Sequence, residues 1–239
     1  HLAANADVRF GWDHPARDLE QNVVATCNAL EGSRIAGVKD FIFTSTGSIY
    51  GEDVQLPALE DTVGIHQTSL YSASKLAAEA FCEAYAEFGM MRITVFRLVS
   101  ALGPLYSHGH VVDFVNQLRQ HPNRLKILGN GEQAKSYIHV DDVCAALVGI
   151  RADEGFRCFN LGTGQTLTPW ESAQFIAEYL GVSPEIEVEA EPRGWVGDNP
   201  NIILSTDRAE RAGWEAKKTI RDGLSDTLEW LVSGKQNRG

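Results

Sequence analysis

The sequence predicts an α/β fold, a parallel sheet flanked by helices with a smaller α/β lobe beside it. Three observations carry this. Short β-favouring apolar runs alternate with stretches of helical periodicity along the whole chain. The run Phe41-Ile42-Phe43 is apolar at every position and stops at Thr44-Ser45-Thr46-Gly47, as a strand does at the carboxyl edge of a parallel sheet, where open α/β folds bind ligands. A hydrophobic content of 44% over 239 residues suffices for one good core and a further lobe.

The elements follow in order. His1-Leu2-Ala3-Ala4 reads as the tail of a buried strand. Residues 6–37 read as a polar loop and then a helix, with Pro15 and Asp18 near its start and Val23, Thr26, Cys27 and Leu30 as its apolar stripe. After the strand at residues 41–44, residues 52–68 hold Pro57, Gly64 and several acids, a loop across the mouth of the site. From Tyr71 to Phe88 a helix carries Ala77, Ala80, Phe81, Ala84, Tyr85 and Phe88 at three- and four-residue intervals. A strand rich in β-branched and aromatic residues spans 92–99 and ends in the Gly103-Pro104 turn.

The chain is then expected to leave the main sheet. Tyr106, His108, Gly109 and His110 form a loop, residues 112–119 a helix, and residues 125–128 a strand ending in Gly129-Asn130-Gly131. A strand at 136–140 is followed by a helix to about Ile150 with Asp141 as its cap, then by a strand at 156–161. A helix at 169–180, a strand near 186–188, a loop from Pro192 to Pro200 and one or two helices ending at Leu231 complete the chain. No internal repeat or low-complexity segment appears.

Composition excludes several function classes. A net charge of −11 argues against binding a nucleic-acid backbone or an anionic membrane. No apolar run approaches the ~20 residues needed to cross a bilayer, and no signal-peptide pattern is present. Cys27, Cys82, Cys144 and Cys158 are scattered without metal-ligand spacing in apolar segments, which reads as buried free thiols in a reducing cytoplasm. His108 and His110 have no third ligand in view, so no metal is expected.

The chemistry concentrates in residues 41–75. Tyr71 and Lys75 lie four apart at the start of a helix and project from one face, one turn apart. A strand-end hydroxyl facing a phenol and an ammonium can move a proton off an alcohol. The phenol would have to ionise near neutrality; a fall of ~3 units from its usual ~10 corresponds to about 4 kcal/mol of preferential phenolate stabilisation. Tyr71 is therefore the candidate general base, Lys75 its tuning charge and Thr46 the relay to the substrate hydroxyl.

Tyr71-x-x-x-Lys75 alone is a weak signal. Its company is more telling: His1-Leu2-Ala3-Ala4 and the strand-end hydroxyls before it, Arg97-Leu98-Val99-Ser100-Ala101-Leu102-Gly103-Pro104 and Ser136-Tyr137-Ile138-His139-Val140-Asp141-Asp142 after it. This ordered set resembles the extended short-chain dehydrogenase/reductase family, and within it the nucleotide-sugar epimerases and dehydratases, over essentially the whole chain. The resemblance implies a Rossmann-type doubly wound parallel sheet, with 1–103 and 134–165 as the dinucleotide-binding domain and 104–133 and 166–239 as the substrate lobe. It implies NAD as cofactor, held by Leu2, Ala3, Ala4, Asn22, Thr44, Ser45, Tyr71, Lys75, Leu98 and Val99. It places the substrate against Thr46, Tyr71, Ser100, Lys135, Arg193 and Trp195, with Lys135 and Arg193 on the diphosphate and Trp195 either stacked on a base or covering the core. It also implies a homodimer through the helices following Asn22 and Tyr71, with Glu79, Glu83 and Glu87 as a solvated stripe. The family's Gly-x-x-Gly-x-x-Gly turn is missing, so the chain is expected to be part of a longer protein.

Two features separate the branches. In 4,6-dehydratases the threonine is followed by Asp-Glu, and decarboxylases of this family keep a Glu there; here stand Gly47 and Ser48. That favours C4 epimerisation of a nucleotide-diphosphate sugar. An NAD(P)-dependent reductase or dehydrogenase of the same fold and a non-catalytic family member are the alternatives. Ser100 stands where an Asn is usual and Lys135 where an Arg is usual, the latter a point charge without a bidentate fork.

Overall fold

The computed structural model describes residues 1–233 apart from Asp7, Phe10, Ile65, Met90 and Val196. Three strands, β1 (Asp40–Thr46), β2 (Arg92–Leu98) and β6 (Phe156–Leu161), form an all-parallel sheet in the order β1-β2-β6. The apolar run 41–43 thus lies in a strand of that sheet, with Phe43, Val95 and Phe96 fully buried. The first residue extends this pairing: the His1 amino group donates to the Ile42 carbonyl at 2.7 Å, and Thr44 N–H donates to His1 O at 3.4 Å. Leu2 is nevertheless 63% exposed, so this tail is not buried here.

The helical stretch after the polar loop comes as three joined pieces: α1 (Pro15–Asp18), a π-helical turn (Leu19–Val24) and α2 (Ala25–Ile35). Pro15 opens it because proline's fixed φ and missing N–H suit a first helical position. Helix α3 (Leu70–Glu87) starts from a reciprocal capping box between Ser69 and Ser72. It packs on β1 and α2, and Phe41, Phe43, Ala78, Cys82, Ile93 and Val95 share one core cluster.

A second layer holds β3 (Ser100–Leu102), β5 (Lys135–His139) and β7 (Thr166–Leu167), with β3 parallel and β7 antiparallel to β5. Between β3 and β5 come α4 (His110–Gln120) and β4 (Arg124–Lys126). Helix α5 (Val140–Gly149) follows β5, and α6 (Pro169–Leu180) and β8 (Glu185–Glu187) follow β7; β8 pairs in parallel with β4. Helices α7 (Asp207–Arg211) and α8 (Ile220–Val232) complete the described chain. Phe114, Leu118, Leu125, Ile176, Leu224 and Leu228 form the core of this part.

Three details depart from the sequence reading. The cap of α5 is His139, whose ring accepts from Asp141 N–H at 3.0 Å, because His139 lies one residue before the first helical turn while Asp141 is already inside it. Cys144 is exposed rather than buried, since α5 turns that position outward. Glu79 is 4% exposed and ion-paired with Arg97, whereas Glu83 and Glu87 are on the solvated face. Four residues after Lys75, position 79 falls on the helix face packed against the sheet.

Candidate active site

Strand β1 ends in Ser45 and Thr46, both buried, and the chain turns at once into a 3-10 helix at Gly47–Tyr50. Thr46 caps this turn by accepting from Ser48 N–H at 3.2 Å, and its hydroxyl donates to Ser48 Oγ at 3.2 Å. The turn is tight for a steric reason. A Cβ on Gly47 would lie 3.1 Å from Ile202 Cγ2 and 3.2 Å from both terminal methyls of Leu204. No side chain enters there without moving that wall.

Helix α3 presents Tyr71 and Lys75 to this strand end. Burial pushes the Tyr71 phenol above its ordinary pKa; the nearby Thr46 hydroxyl pulls the other way, and the Asp18 carboxylate adds a smaller upward push. Removal from water dominates, Lys75 is not among the groups acting on this phenol, and the phenol rests neutral. Lys75 is 2% exposed, with its ammonium 4.1 Å from the centre of the Phe43 ring. Burial draws its pKa down to about 8, and the Glu79 and Cys82 side chains offset part of that fall. Thr46, Tyr71 and Lys75 are thus brought to one strand end.

Asn22 is drawn into the protein instead of toward a ligand. It is 1% exposed; its amide donates to Ser74 Oγ at 2.9 Å, Asn5 O at 3.2 Å and Asp18 Oδ1 at 3.3 Å, while its carbonyl accepts from Asn5 N–H at 2.7 Å. The π turn that holds it lets this one side chain tie the first residues to α3. Ser45 Oγ is buried without a hydrogen-bond partner. It lies on the same face of β1 as Phe43, the face that Lys75 covers.

A cleft of about 840 Å³ reaches the 3-10 turn at Ser48 and the start of α3 at Ser69, and is lined further by Ala4, Ser100, Tyr106 and Lys135; Thr46, Tyr71 and Lys75 are not among its lining residues. A second cavity of about 520 Å³ adjoins it between α4 and β5, and Arg9, Ser100, Tyr106, Lys135, Trp195 and Asp198 line both. Ser100, Lys135 and Trp195 therefore meet at a common waist. The Lys135 ammonium pairs with the buried Asp198 carboxylate at 2.5 Å and sits 5.0 Å from the Trp195 ring. Trp195 Nε1 is buried without a partner, and so is Gln133 Oε1 in the smaller cavity. Arg193 does not join them: it lies outside both cavity walls and is ion-paired with Glu52 at 2.6 Å, because its exposed loop turns it back over the 3-10 turn. Of the remaining positions, Ala4 reaches the cleft, Thr44 and Leu98 are half-buried at the sheet edge, and Val99 is buried beneath it.

Sequence reasoning missed Arg9, Asp198 and Glu79. Arg9 sits in a loop without periodicity and pairs with Asp113 on α4 at 3.2 Å, a contact spanning 104 positions that no local pattern announces. Glu79 had a signal, the spacing 71-75-79, which stacks three side chains on successive turns of one face. Among the described residues no cluster of metal-ligating side chains occurs, and no helix is long and apolar enough to cross a membrane.

Residues 1–162 match the model of the NAD dependent epimerase/dehydratase family. The chain is 32% identical over 243 aligned positions to a UDP-glucose 4-epimerase of Mycolicibacterium smegmatis, covering 99% of this chain and 76% of that protein. It is 29% identical to UDP-glucuronic acid decarboxylase 1 of Arabidopsis thaliana, covering all of this chain but 54% of that one. Among solved structures, MoeE5 in complex with UDP-glucose and NAD superposes with a TM-score of 0.87 at 29% identity, over 98% of this chain and 78% of that one.

Proposed function

The chain belongs to the NAD dependent epimerase/dehydratase family, and from that premise we propose that it interconverts a nucleotide-diphosphate hexose of the UDP-hexose type with its C4 epimer through a 4-keto intermediate. One observation carries the reading: the Thr46 hydroxyl meets the Tyr71 phenol at the edge of the sheet, with Lys75 one turn along and a cleft alongside.

The residues present fit the cofactor that the family implies. Lys75 is a buried residue whose ammonium makes no hydrogen bond to the described residues, and the Ser45 hydroxyl on the same side of β1 is buried and orphaned. Buried polar groups left without partners are rare. That hydroxyl, with the Lys75 ammonium on the same face, matches the hydroxyls of a ribose, so Lys75 and Ser45 would hold the nicotinamide riboside end. NAD, when bound, supplies the acceptor for the C4 hydrogen and its return.

The chain's own residues supply the rest. Thr46 takes the C4 hydroxyl as partner and relays its proton to the Tyr71 phenolate, and the phenol so formed is the acid of the return step. Lys75 stabilises the phenolate. The cleft gives the ketone room to turn so that it is reduced on its other face, and Tyr71 returns the proton to the C4 oxygen. Lys135 at the waist approaches the diphosphate by exchanging its Asp198 partner for phosphate oxygens, and Trp195 Nε1 adds an unused donor beside it.

Gly47 supports epimerisation over elimination or decarboxylation. Those branches need a carboxyl group beside the threonine, and here there is no side chain, and one would have to push Ile202 and Leu204 aside. The helices expected to form a dimer leave Ile35 72%, Phe81 44% and Phe88 66% exposed, which supports a homodimer through that face.

The test uses the intact protein with catalytic NAD and a panel of UDP-hexoses. Epimer formation without net absorbance change at 340 nm is expected. Stoichiometric change at 340 nm would make it a reductase or dehydrogenase, and Tyr71→Phe turning over at the wild-type rate would remove the proposed base.

A further inference from the structure

Helix α3 carries a third functional side chain below Tyr71 and Lys75. Glu79 lies one turn beyond Lys75, 4% exposed, inside a core otherwise built from Phe43, Ala78, Cys82 and Val95. Its carboxylate accepts from Arg97 Nε at 3.1 and 3.2 Å and from Arg97 Nη2 at 2.7 Å. The same guanidinium donates through Nη1 to Tyr50 Oη at 2.8 Å and to the Glu60 carbonyl at 2.7 Å. Tyr50 in turn donates to Asn160 Oδ1 on β6 at 2.6 Å. Tyr50 closes the 3-10 turn that Thr46 caps. One arginine on β2 therefore grips both the helix bearing Tyr71 and Lys75 and the turn bearing Thr46.

Stability alone does not call for this arrangement. A buried ion pair roughly breaks even against well-packed apolar residues, because both ions must be stripped of water. Lys75 supplies the missing reason. A buried ammonium with no hydrogen-bond acceptor among the described residues is driven toward its neutral form unless an anion stands close. The groups facing Lys75 are Glu79 and Cys82 on its own helix, the Phe43 ring on β1, and the His1 amino group at the start of the chain. Of these, Glu79 is the leading charge opposing the loss of the proton.

We propose that Glu79 is a positioning residue for the reaction: clamped by Arg97, its carboxylate holds Lys75 as an ammonium one turn from the Tyr71 phenol. This rests on the role given above to Tyr71 and Lys75. As the pH rises, Lys75 loses its proton and with it the charge that stabilises the phenolate. Removing Glu79 brings that loss to lower pH.

The experiment follows Lys75 directly in the cofactor-free intact protein, by NMR titration of isotopically labelled lysine side chains, with the Lys75→Arg variant providing the assignment. The comparison is with the double variant Glu79→Gln/Arg97→Met, which leaves no lone buried charge, and with Glu79→Gln alone should the double variant not fold. The Lys75 midpoint should fall by about one pH unit, the low end of what an opposite charge at this range supplies. The alkaline limb of kcat/KM should move by the same amount, and Glu79→Asp should recover most of both shifts. An unmoved midpoint in a folded variant overturns the proposal, and so does an equal shift in Glu79→Asp. If Tyr71→Phe is inactive while the Glu79 variants keep the wild-type profile, this inference alone falls. If Tyr71→Phe is fully active, the reading beneath it falls.

Discussion

Lys75 is held in the fold at a measurable expense, and Lys75→Met exposes it. The residue is 2% exposed and its pKa is drawn from 10.5 to about 8, chiefly by burial. A difference of about 2.5 units at 1.36 kcal/mol each is about 3 kcal/mol against the folded state. The contact with the Phe43 ring returns roughly 1 kcal/mol of that. An unbranched methionine fills the same channel without a charge, so the cofactor-free variant should be more stable by about 2 kcal/mol at pH 7. In a chain of this size that raises the melting temperature by roughly 4–8 °C. The pH dependence identifies the cause. Below pH 8 both folded and unfolded Lys75 carry the proton and the penalty is constant; between pH 8 and 10.5 the folded state sheds it first, and wild-type stability rises; above 10.5 the penalty is gone. Urea unfolding of both proteins at pH 7 and pH 10, with NAD removed, measures it. A Lys75→Met protein no more stable than wild type at pH 7, or a gap that persists unchanged at pH 10, refutes the reasoning. The same variant should lose turnover, so stability and activity move in opposite directions.

Two more predictions concern the walls of the site. Gly47→Asp, which installs the acid found beside the threonine in dehydratases, should destabilise the protein by about 1–3 kcal/mol through the crowding at Ile202 and Leu204. Ile202→Ala should restore part of the melting temperature, and product analysis should find no dehydrated sugar from either variant. His110 is pushed down to about 4 by burial and secondarily by Lys135, while its Nε2 shares a 2.9 Å hydrogen bond with Ser172 Oγ. The unfolded chain takes up this proton first as the pH falls, so stability is full above pH 6.5 and declines by about 3 kcal/mol toward pH 4; His110→Gln, compared by urea midpoint at pH 7 and pH 4.5, should flatten that decline.

Much of the fold was legible because local signals agreed with the tertiary structure. The helix over 169–180 was readable to the residue, since Thr168, Pro169 and Glu171 form a cap and Gly181 takes a left-handed φ of 68° just beyond the end. Strands β3 and β7, of three and two residues, were not readable, because so few residues carry no period and exist only through their partner β5. At the site, spacing put Tyr71 and Lys75 on one helix face, and the strand-end position of Thr46 together with the family resemblance joined it to them. Whether a cation is available for a ligand could not: Lys135 and Arg193 look alike in the sequence, yet one faces the waist paired with Asp198 and the other lies outside it paired with Glu52. Such pairings join residues 63 and 141 positions apart, beyond the reach of any window. Glu79 was misplaced because a solvent-facing stripe of glutamates is the commoner outcome, and only the opposing Arg97 overrides it.

The run 198–205 deserves to be considered as a seam. Asp198 holds Lys135, Asn199 donates to the Gly51 carbonyl at 2.6 Å, Ile202 bridges to Lys135, Leu204 bridges to Ala58, and Ile202 and Leu204 together wall off Gly47. The end of the site proposed to meet a phosphate and the end proposed to meet a sugar carbon are thus stitched by the same few links of chain. Retailoring this protein for another sugar by carving space at Ile202 would slacken the grip on Lys135 as well. Specificity for the two halves of a ligand is inherited together, and a library that varies one without the other works against the weave.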